Sequence, residues 1–431
     1  MRIGLVSLGC AKNLVDSEMV LGMFKASGDT IVTNPEEADV IVINTCGFID
    51  ASKQESIDNI LAMRKYPAKL VVIGCLVERY LDDLKLELPE VDLWIPIRDY
   101  PLLPQKIAAL FPNEKRKIVE LSPFRRLLST PKYSAYLRIS EGCNNRCTYC
   151  AIPLIRGNFR SRPFDEVVEE AAQLNEAKIK ELVVISQDTT NYGHDLKEKK
   201  DIVDLLTELL KFPSFKYIRL LYLYPVEITD RLIALIRDNP RIVPYFDLPI
   251  QHSSDHIRKM MHRKGTRNEI MSLIEKIRLQ IPNAIIRSTI IVGFPGETDE
   301  DFSDLIEFVK EVKFDHLGAF PYSREEGTVA YDMPNQISDD VKKKRYSELM
   351  RVQRHVSYIK NKAQIGKVID GIVIDYDTKK NLYYLRGAWN APDDIDGKIT
   401  FTSDYCLREG KIVKVKITEA YVYDLNGIEV R

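Results

Sequence analysis

Residues 135–150 read Ala135-Tyr136-Leu137-Arg138-Ile139-Ser140-Glu141-Gly142-Cys143-Asn144-Asn145-Arg146-Cys147-Thr148-Tyr149-Cys150. An apolar run that ends at Ser140 and gives way to three cysteines reads as a β-strand carrying its chemistry on the loop beyond it. Spacers of three and then two residues let three soft thiolates on one loop reach a compact iron–sulfur cluster. A four-iron cluster normally takes four cysteines, and no fourth lies nearby, so one iron keeps a position for another ligand. The alternative is zinc, which needs a fourth His or Cys at ordinary spacing. The next histidine is His194 and the next cysteine Cys406.

Moving outward, further strand candidates lie at 182–186, 217–222, 245–248, 285–292 and 317–321, with helical patterns between them. With 135–140 they make six β/α units, a partial barrel whose reactive groups belong on the loops after the strands. Those loops, at 141–160, 187–193, 249–252 and 293–298, hold most of the unusual polar residues. Gln251 and His252 are candidates for the cofactor site, His252 equally for a structural role. The turn 293–298 is a weaker candidate for backbone approach to a cofactor.

The first third also alternates strands (3–7, 40–44, 70–73) with helices (14–25, 53–65, 102–110), as βαβ units around a parallel sheet do. Cys10, Cys46 and Cys75 each fall one to three residues past a strand. Parallel strands all end on one sheet edge, where open α/β sheets build their sites, so these three thiols can meet in space. The helices after such turns would favour thiolates. A Pro- and charge-rich passage at 112–132 reads as a linker. Residues 339–362 form a basic helix candidate with Leu349, Val352, Val356 and Ile359 on one face, read as a solvated connector. Beyond it, alternating runs at 367–376, 382–386, 412–417 and 421–423 describe a small β-barrel. The fold class is therefore α/β: an amino-terminal parallel-sheet domain at 1–118, a partial (β/α) TIM-like barrel at 129–360 and a small all-β barrel at 364–431.

Composition agrees. A chain of 431 residues exceeds what one hydrophobic core serves. Hydrophobic residues at 45% and charged residues at 29% exclude disordered and fibrous classes. The formal charge of −1 lacks the whole-chain basic excess of a protein that coats nucleic acid. Seven cysteines are too sparse for a disulfide scaffold. No apolar run is long enough to span a bilayer or serve as a secretory segment, so a cytoplasmic location is expected.

The Cys-x3-Cys-x2-Cys motif after the first strand of a partial barrel resembles the radical S-adenosylmethionine (SAM) superfamily. That resemblance implies a [4Fe-4S] cluster on Cys143, Cys147 and Cys150. Its open iron would chelate SAM, and one electron would break the sulfonium bond to give a 5′-deoxyadenosyl radical. It also implies that Tyr149 packs near the adenine, with plain core packing as the alternative. The stretches Gly9-Cys10-Ala11-Lys12-Asn13-Leu14-Val15-Asp16-Ser17-Glu18, Asn44-Thr45-Cys46-Gly47-Phe48-Ile49 and Gly74-Cys75-Leu76 resemble the domain preceding the barrel in methylthiotransferases. There the three cysteines hold a second [4Fe-4S] cluster. The end of the chain is similar to the β modules named TRAM.

Two branches compete within that family: MiaB-like enzymes modify an adenosine of transfer RNA, RimO-like enzymes an aspartate β-carbon of small-subunit ribosomal protein S twelve. Cys75-Leu76-Val77-Glu78-Arg79-Tyr80, Arg138-Ile139-Ser140-Glu141-Gly142-Cys143, Ala151-Ile152-Pro153 and Gln187-Asp188-Thr189-Thr190-Asn191-Tyr192-Gly193 are RimO-like. Residues 364–431 hold ten Lys and Arg against eleven Asp and Glu. A module that grips RNA should be basic, whereas Asp393, Asp394 and Asp396 on a loop suit a cationic ribosomal protein. The expected partners are thus ribosomal protein S twelve, met through the terminal β-barrel, and an electron donor. A non-catalytic iron–sulfur or RNA-binding protein is the alternative from another class. Cys406, alone in the last module, is read as structural.

Overall fold

The computed structural model describes residues 1–113 and 117–431. Its amino-terminal part is a parallel sheet in the order β2-β1-β3-β4-β5, built from β1 (Arg2–Ser7), β2 (Thr30–Ile31), β3 (Val40–Thr45), β4 (Lys69–Gly74) and β5 (Leu93–Ile95). Helices α1 (Ala11–Ala26), α2 (Asp50–Met63), α3 (Cys75–Glu87) and α4 (Leu103–Ala109) connect and flank the strands. Every residue of β3 is buried, as the continuous run Val40-Ile41-Val42-Ile43 requires of a central strand covered on both faces. Strand order reverses between β1 and β3, and such a switch point opens a crevice at the carboxyl ends of the strands.

The middle of the chain holds β6 (Ser134–Arg138), a small ribbon of β7 (Ser140–Glu141) and β8 (Arg160–Ser161), then β9 (Glu181–Ile185), β10 (Tyr217–Leu220), β11 (Tyr245–Asp247), β12 (Ile285–Val292) and β13 (His316–Pro321). The six long strands are parallel, in two runs, β6-β9-β10 and β11-β12-β13. Leu223 N donates to Asp247 O at 2.9 Å and joins the runs into one partial barrel. Helices α5 (Ile152–Arg156), α6 (Phe164–Glu176), α7 (Ile202–Leu209), α8 (Asp230–Asp238), α9 (Asp255–Met260), α10 (Arg267–Gln280) and α11 (Asp299–Val312) fill the connections. Outward-facing strand residues such as Leu137, Leu182, Val184 and Ile286 bury against these helices. Tyr136, Val183, Ile185 and Tyr245 turn into the barrel instead, the alternation expected of strands.

Helix α12 (Asp339–Lys362) is not a solvated connector. Leu349 and Val356 are buried together with the polar Gln353, Ser357 and Asn361, and Gln353 donates to Phe314 O at 3.1 Å. Ile359, expected on the apolar face, is exposed. The last part is a closed barrel in the order β14-β15-β16-β18-β17, from β14 (Val368–Asp377), β15 (Leu382–Gly387), β16 (Ile399–Thr402), β17 (Ile412–Ala420) and β18 (Leu425–Val430). The strand expected at 421–423 is the turn between β17 and β18, where Tyr421 N donates to Asp424 O at 2.8 Å. Its tyrosines gave that turn the look of a strand.

The linker expected at 112–132, of which 114–116 lie outside the described residues, is a strap along α1 in its later half. Leu127 N donates to Glu18 O at 3.0 Å, and Arg126 lies between Glu18 (3.8 Å) and Glu170 (3.2 Å). A Cβ on Gly22 would fall 1.7 Å from Arg125 O, so only glycine lets the strap lie this close. No helix among the described residues is long and apolar enough to cross a membrane.

Candidate active site

All six cysteines of the two triplets line one cavity of about 650 Å³, between the edge of the amino-terminal sheet and the barrel mouth. On the sheet side, Cys10, Cys46 and Cys75 follow the neighbouring strands β1, β3 and β4, as the strand reading requires. Their approach depends on glycine. Gly9 has φ +88°, and a Cβ there would sit 2.9 Å from Cys46 Cβ; Gly74 has φ +105°, and a Cβ would meet Asn44 Oδ1 at 2.4 Å.

Asn13 ties the three turns together. Its Nδ2 donates to Leu8 O (3.1 Å) and Thr45 O (3.0 Å), while its Oδ1 accepts from Cys75 Sγ at 3.3 Å. Ser56 Oγ accepts from Cys46 N and donates to Cys46 O, holding that turn against α2. Cys10 caps α1 and Cys75 opens α3, the helix starts expected to favour thiolates. At Cys75 burial outweighs that help and pushes the thiol to about 11; burial also pushes the Cys46 thiol up.

On the barrel side the triplet loop is closed by short-range bonds and pinned by long-range ones. Cys143 N donates to Gly157 O at 3.2 Å, Cys150 N to Cys147 O at 3.0 Å, and Thr148 N and Oγ1 to Met261 O and Met260 O. Asn145 Nδ2 reaches Asp188 Oδ2 at 2.7 Å, anchoring the loop to the one after β9. Burial raises the Cys143 thiol and takes that of Cys150 to about 12. Free of metal, such thiols stay protonated at neutral pH, so binding iron must displace their protons. Among the described residues no three His, Cys, Asp or Glu converge on a point suited to a single metal ion. The residues able to hold a larger centre are the two triplets, each soft and each lacking a fourth thiol.

Tyr149 packs beside Ile257, Met261 and Phe294 and also lines the cavity. Gln251 lines the cavity. His252 does not: it is fully buried, its Nδ1 accepts from Ser254 N at 3.0 Å, and burial lowers its pKa to about 3. The turn 293–298 lies against α12, a Cβ on Gly293 meeting Lys342 Cγ at 2.3 Å, so it makes no part of the cavity.

Several cavity residues had no assigned role. Arg156, at the end of the helix after Cys150, crosses to the sheet: it donates to Asn13 Oδ1 (2.7 Å), Asp16 Oδ2 (2.8 Å) and Cys75 Sγ (3.5 Å). Arg263 lies 3.7 Å from Cys147 Sγ and over the Tyr224 ring at 4.2 Å. Lys12 and Asn13 stood inside a quoted motif; nothing local in the sequence marks Arg156 or Arg263.

In the acidic loop of the terminal barrel, Asp396 turns inward while Asp393 and Asp394 are exposed. The Asp396 side chain is fully buried, accepts from Tyr245 Oη at 2.7 Å and faces Arg287 at 3.6 Å. Asp393 accepts from Tyr136 Oη at 2.5 Å. Lys180 Nζ on Gly410 O and Arg386 on Glu181 place this module where the barrel strands begin, opposite the thiols. The Asp396 carboxylate serves docking and is not available to a cationic partner, whereas Asp393 and Asp394 stay on the surface. Cys406 is exposed on the β module, not part of a core.

Comparison with known proteins gives three family matches: the Radical SAM superfamily over residues 137–309, Uncharacterized protein family UPF0004 over 2–96, and the TRAM domain over 365–430. A curated relative named Ribosomal protein uS12 methylthiotransferase RimO, from Caldicellulosiruptor saccharolyticus, is 47% identical over 99% of both chains. Another of that name, from Clostridioides difficile, is 46% identical over 99% of this chain and 98% of its own. Among solved structures, the radical SAM methyltransferase TsrM from Kitasatospora setae, with cobalamin and a [4Fe-4S] cluster bound, matches with TM-score 0.55 at 13% identity, covering 74% of this chain and 72% of that one. The cobalamin-dependent radical enzyme OxsB matches with TM-score 0.54 at 12% identity, over 82% of this chain and 56% of its own. These two likenesses speak for the fold.

Proposed function

The chain belongs to the RimO family of ribosomal protein uS12 methylthiotransferases, and from that premise we propose that it exchanges a C–H bond on the β-carbon of an aspartate of that ribosomal protein for C–SCH3. It is a radical SAM methylthiotransferase acting on ribosomal protein S12. The observation that carries the finer reading is the single cavity lined by both cysteine triplets. Cys143, Cys147 and Cys150 would hold one [4Fe-4S] cluster, and Cys10, Cys46 and Cys75 a second. No side-chain base has a pKa near that of an unactivated carbon, so acid–base chemistry does not reach this bond. Held by Cys143, Cys147 and Cys150 and reduced, such a cluster would bind SAM and supply the electron that cleaves its sulfonium bond.

The protein supplies position and dryness. Asn145, tied to Asp188, fixes the loop that presents SAM, and Tyr149 offers an apolar face beside it. Phe48, Ile49, Ile152, Ile155 and Leu223 line the space between the triplets and keep water from a reactive carbon centre. Asn13 and Arg156 hold the two walls in register. The terminal barrel is the module proposed to meet the ribosomal protein, a reading supported by its near-neutral charge and by the exposed Asp393 and Asp394. A separate protein would donate the electron, and the cytoplasm would be the compartment.

Anaerobically reconstituted, reduced protein should add one methylthio group to ribosomal protein S12, read by intact mass. A gain on transfer RNA alone, or no 5′-deoxyadenosine from SAM, would overturn the proposal.

A further inference from the structure

Four cations line the cavity, and three are committed. Arg156 pairs with Asp16, Arg287 with Asp247 at 2.8 Å, and Arg263 donates to Pro249 O and lies against Cys147. Lys12 differs. It is only 8% exposed, yet among the described residues no carboxylate pairs with its ammonium; its Nζ rests over the ring of Tyr222, 3.2 Å from the centroid. The two carboxylates of the cavity wall do not serve it: Asp247 is held by Arg287 and Tyr222 N, and Glu55 lies exposed at the rim. A desolvated ammonium resting on an aromatic face is a poor final state and a good anion receptor.

The fold maintains this arrangement at some cost. Tyr222 adopts φ +61°, a left-handed conformation unfavourable for a bulky aromatic residue. It is held there by Tyr222 N on Asp247 Oδ2 (2.9 Å) and by Thr189 N on Tyr222 O (3.0 Å). Lys12 comes from the sheet side, two residues after Cys10, and Tyr222 from the barrel, so the ammonium bridges the gap between the triplets.

We infer that Lys12 is a specificity-determining residue, its ammonium receiving the side-chain carboxylate of the target aspartate and presenting the neighbouring carbon to the space between the two thiol triplets. This rests on the aspartate reading above. A carboxylate there forms a charge-assisted hydrogen bond in a desolvated site, while an asparagine or a nucleobase leaves the ammonium unpaired.

The test uses full-length, iron-loaded protein without reductant, as wild type, Lys12→Met and Lys12→Arg, each checked for equal iron content. Binding is measured to ribosomal protein S12 and to S12 with the target aspartate changed to asparagine, and SAM binding is measured separately. Wild type should prefer the aspartate form about 10- to 100-fold, the span of one charge-assisted hydrogen bond. Lys12→Met should lose that preference, Lys12→Arg should keep most of it, and SAM binding should be unchanged. An equal preference in wild type and Lys12→Met would overturn the assignment, as would an equal loss of SAM binding, which would give the ammonium to the cofactor's carboxylate. The reduced wild-type preparation is assayed in parallel for methylthio transfer to S12. Failure there strikes the function itself, whereas success with undiminished discrimination in Lys12→Met strikes Lys12 alone.

Discussion

The two cysteine triplets face one another across a single cavity but are built by different means. Cys143, Cys147 and Cys150 lie within one loop, closed by bonds such as Cys150 N to Cys147 O. Cys10, Cys46 and Cys75 span much of the amino-terminal sheet and meet only because β1, β3 and β4 are neighbours that end on one edge. One site is written in local spacing, the other in topology.

The largest expected effect separates their roles. Replacing Cys143, Cys147 and Cys150 by serine should abolish SAM cleavage and methylthio transfer together. The same change at Cys10, Cys46 and Cys75 should leave 5′-deoxyadenosine formation while abolishing methylthio transfer. Chromatography of the nucleoside and product mass check both; identical losses from the two triple variants would break the distinction.

Next comes the link between the triplets. Arg156→Gln leaves the buried Asp16 to Arg138 alone, and losing one member of such a network costs about 3–5 kcal/mol. A lowered melting temperature and early loss of iron from the sheet-side triplet should follow. Arg138 and Arg156 overcome the penalty of burial and hold the Asp16 carboxyl below its ordinary 3.8. Its contribution to stability is thus complete above about pH 4 and is lost as the pH falls below that value. Thermal melts of wild type between pH 3 and 6 should show this loss, and Arg156→Gln a smaller one.

Glycine variants sharpen the contrast further. Gly74→Ala puts a Cβ 2.4 Å from Asn44 Oδ1, and Gly142→Ala puts one 2.2 Å from Asn158 O, both at positive φ. Each should destabilise by about 1–3 kcal/mol through strain at a left-handed position. Iron retention should fall at the sheet triplet only in Gly74→Ala and at the barrel triplet only in Gly142→Ala. The smallest effect is expected at the far end: Tyr245→Phe removes one donor from Asp396, worth about 1–2 kcal/mol, and should speed proteolytic release of the terminal barrel with little change in SAM cleavage.

The barrel triplet was legible because three thiols within eight residues admit few geometries. Reading the sheet triplet required the strands, and these were legible because β3 and β4 are buried on both faces and read as unbroken apolar runs. Arg156 was not, since its partners Asn13 and Asp16 are about 140 residues away and no periodicity relates them. Asp396 looked like part of a solvated acidic surface because charge alone does not say which way a side chain turns; Tyr245, inside the barrel, decides that. β16 escaped notice as a four-residue strand, and the tyrosines at 421–423 drew the strand assignment onto a turn. In α12, Gln353 is buried by its bond to Phe314 O, which a hydrophobic pattern cannot show.

The central claim is that one cavity is walled by two separate iron–sulfur sites. Iron and acid-labile sulfide should be counted in anaerobically reconstituted wild type and in each triple-cysteine variant, with Mössbauer spectra to identify the centres. Two four-iron centres predict about eight irons in the wild type and about four in either variant. About four irons in the wild type, unchanged by loss of Cys10, Cys46 and Cys75, would contradict it.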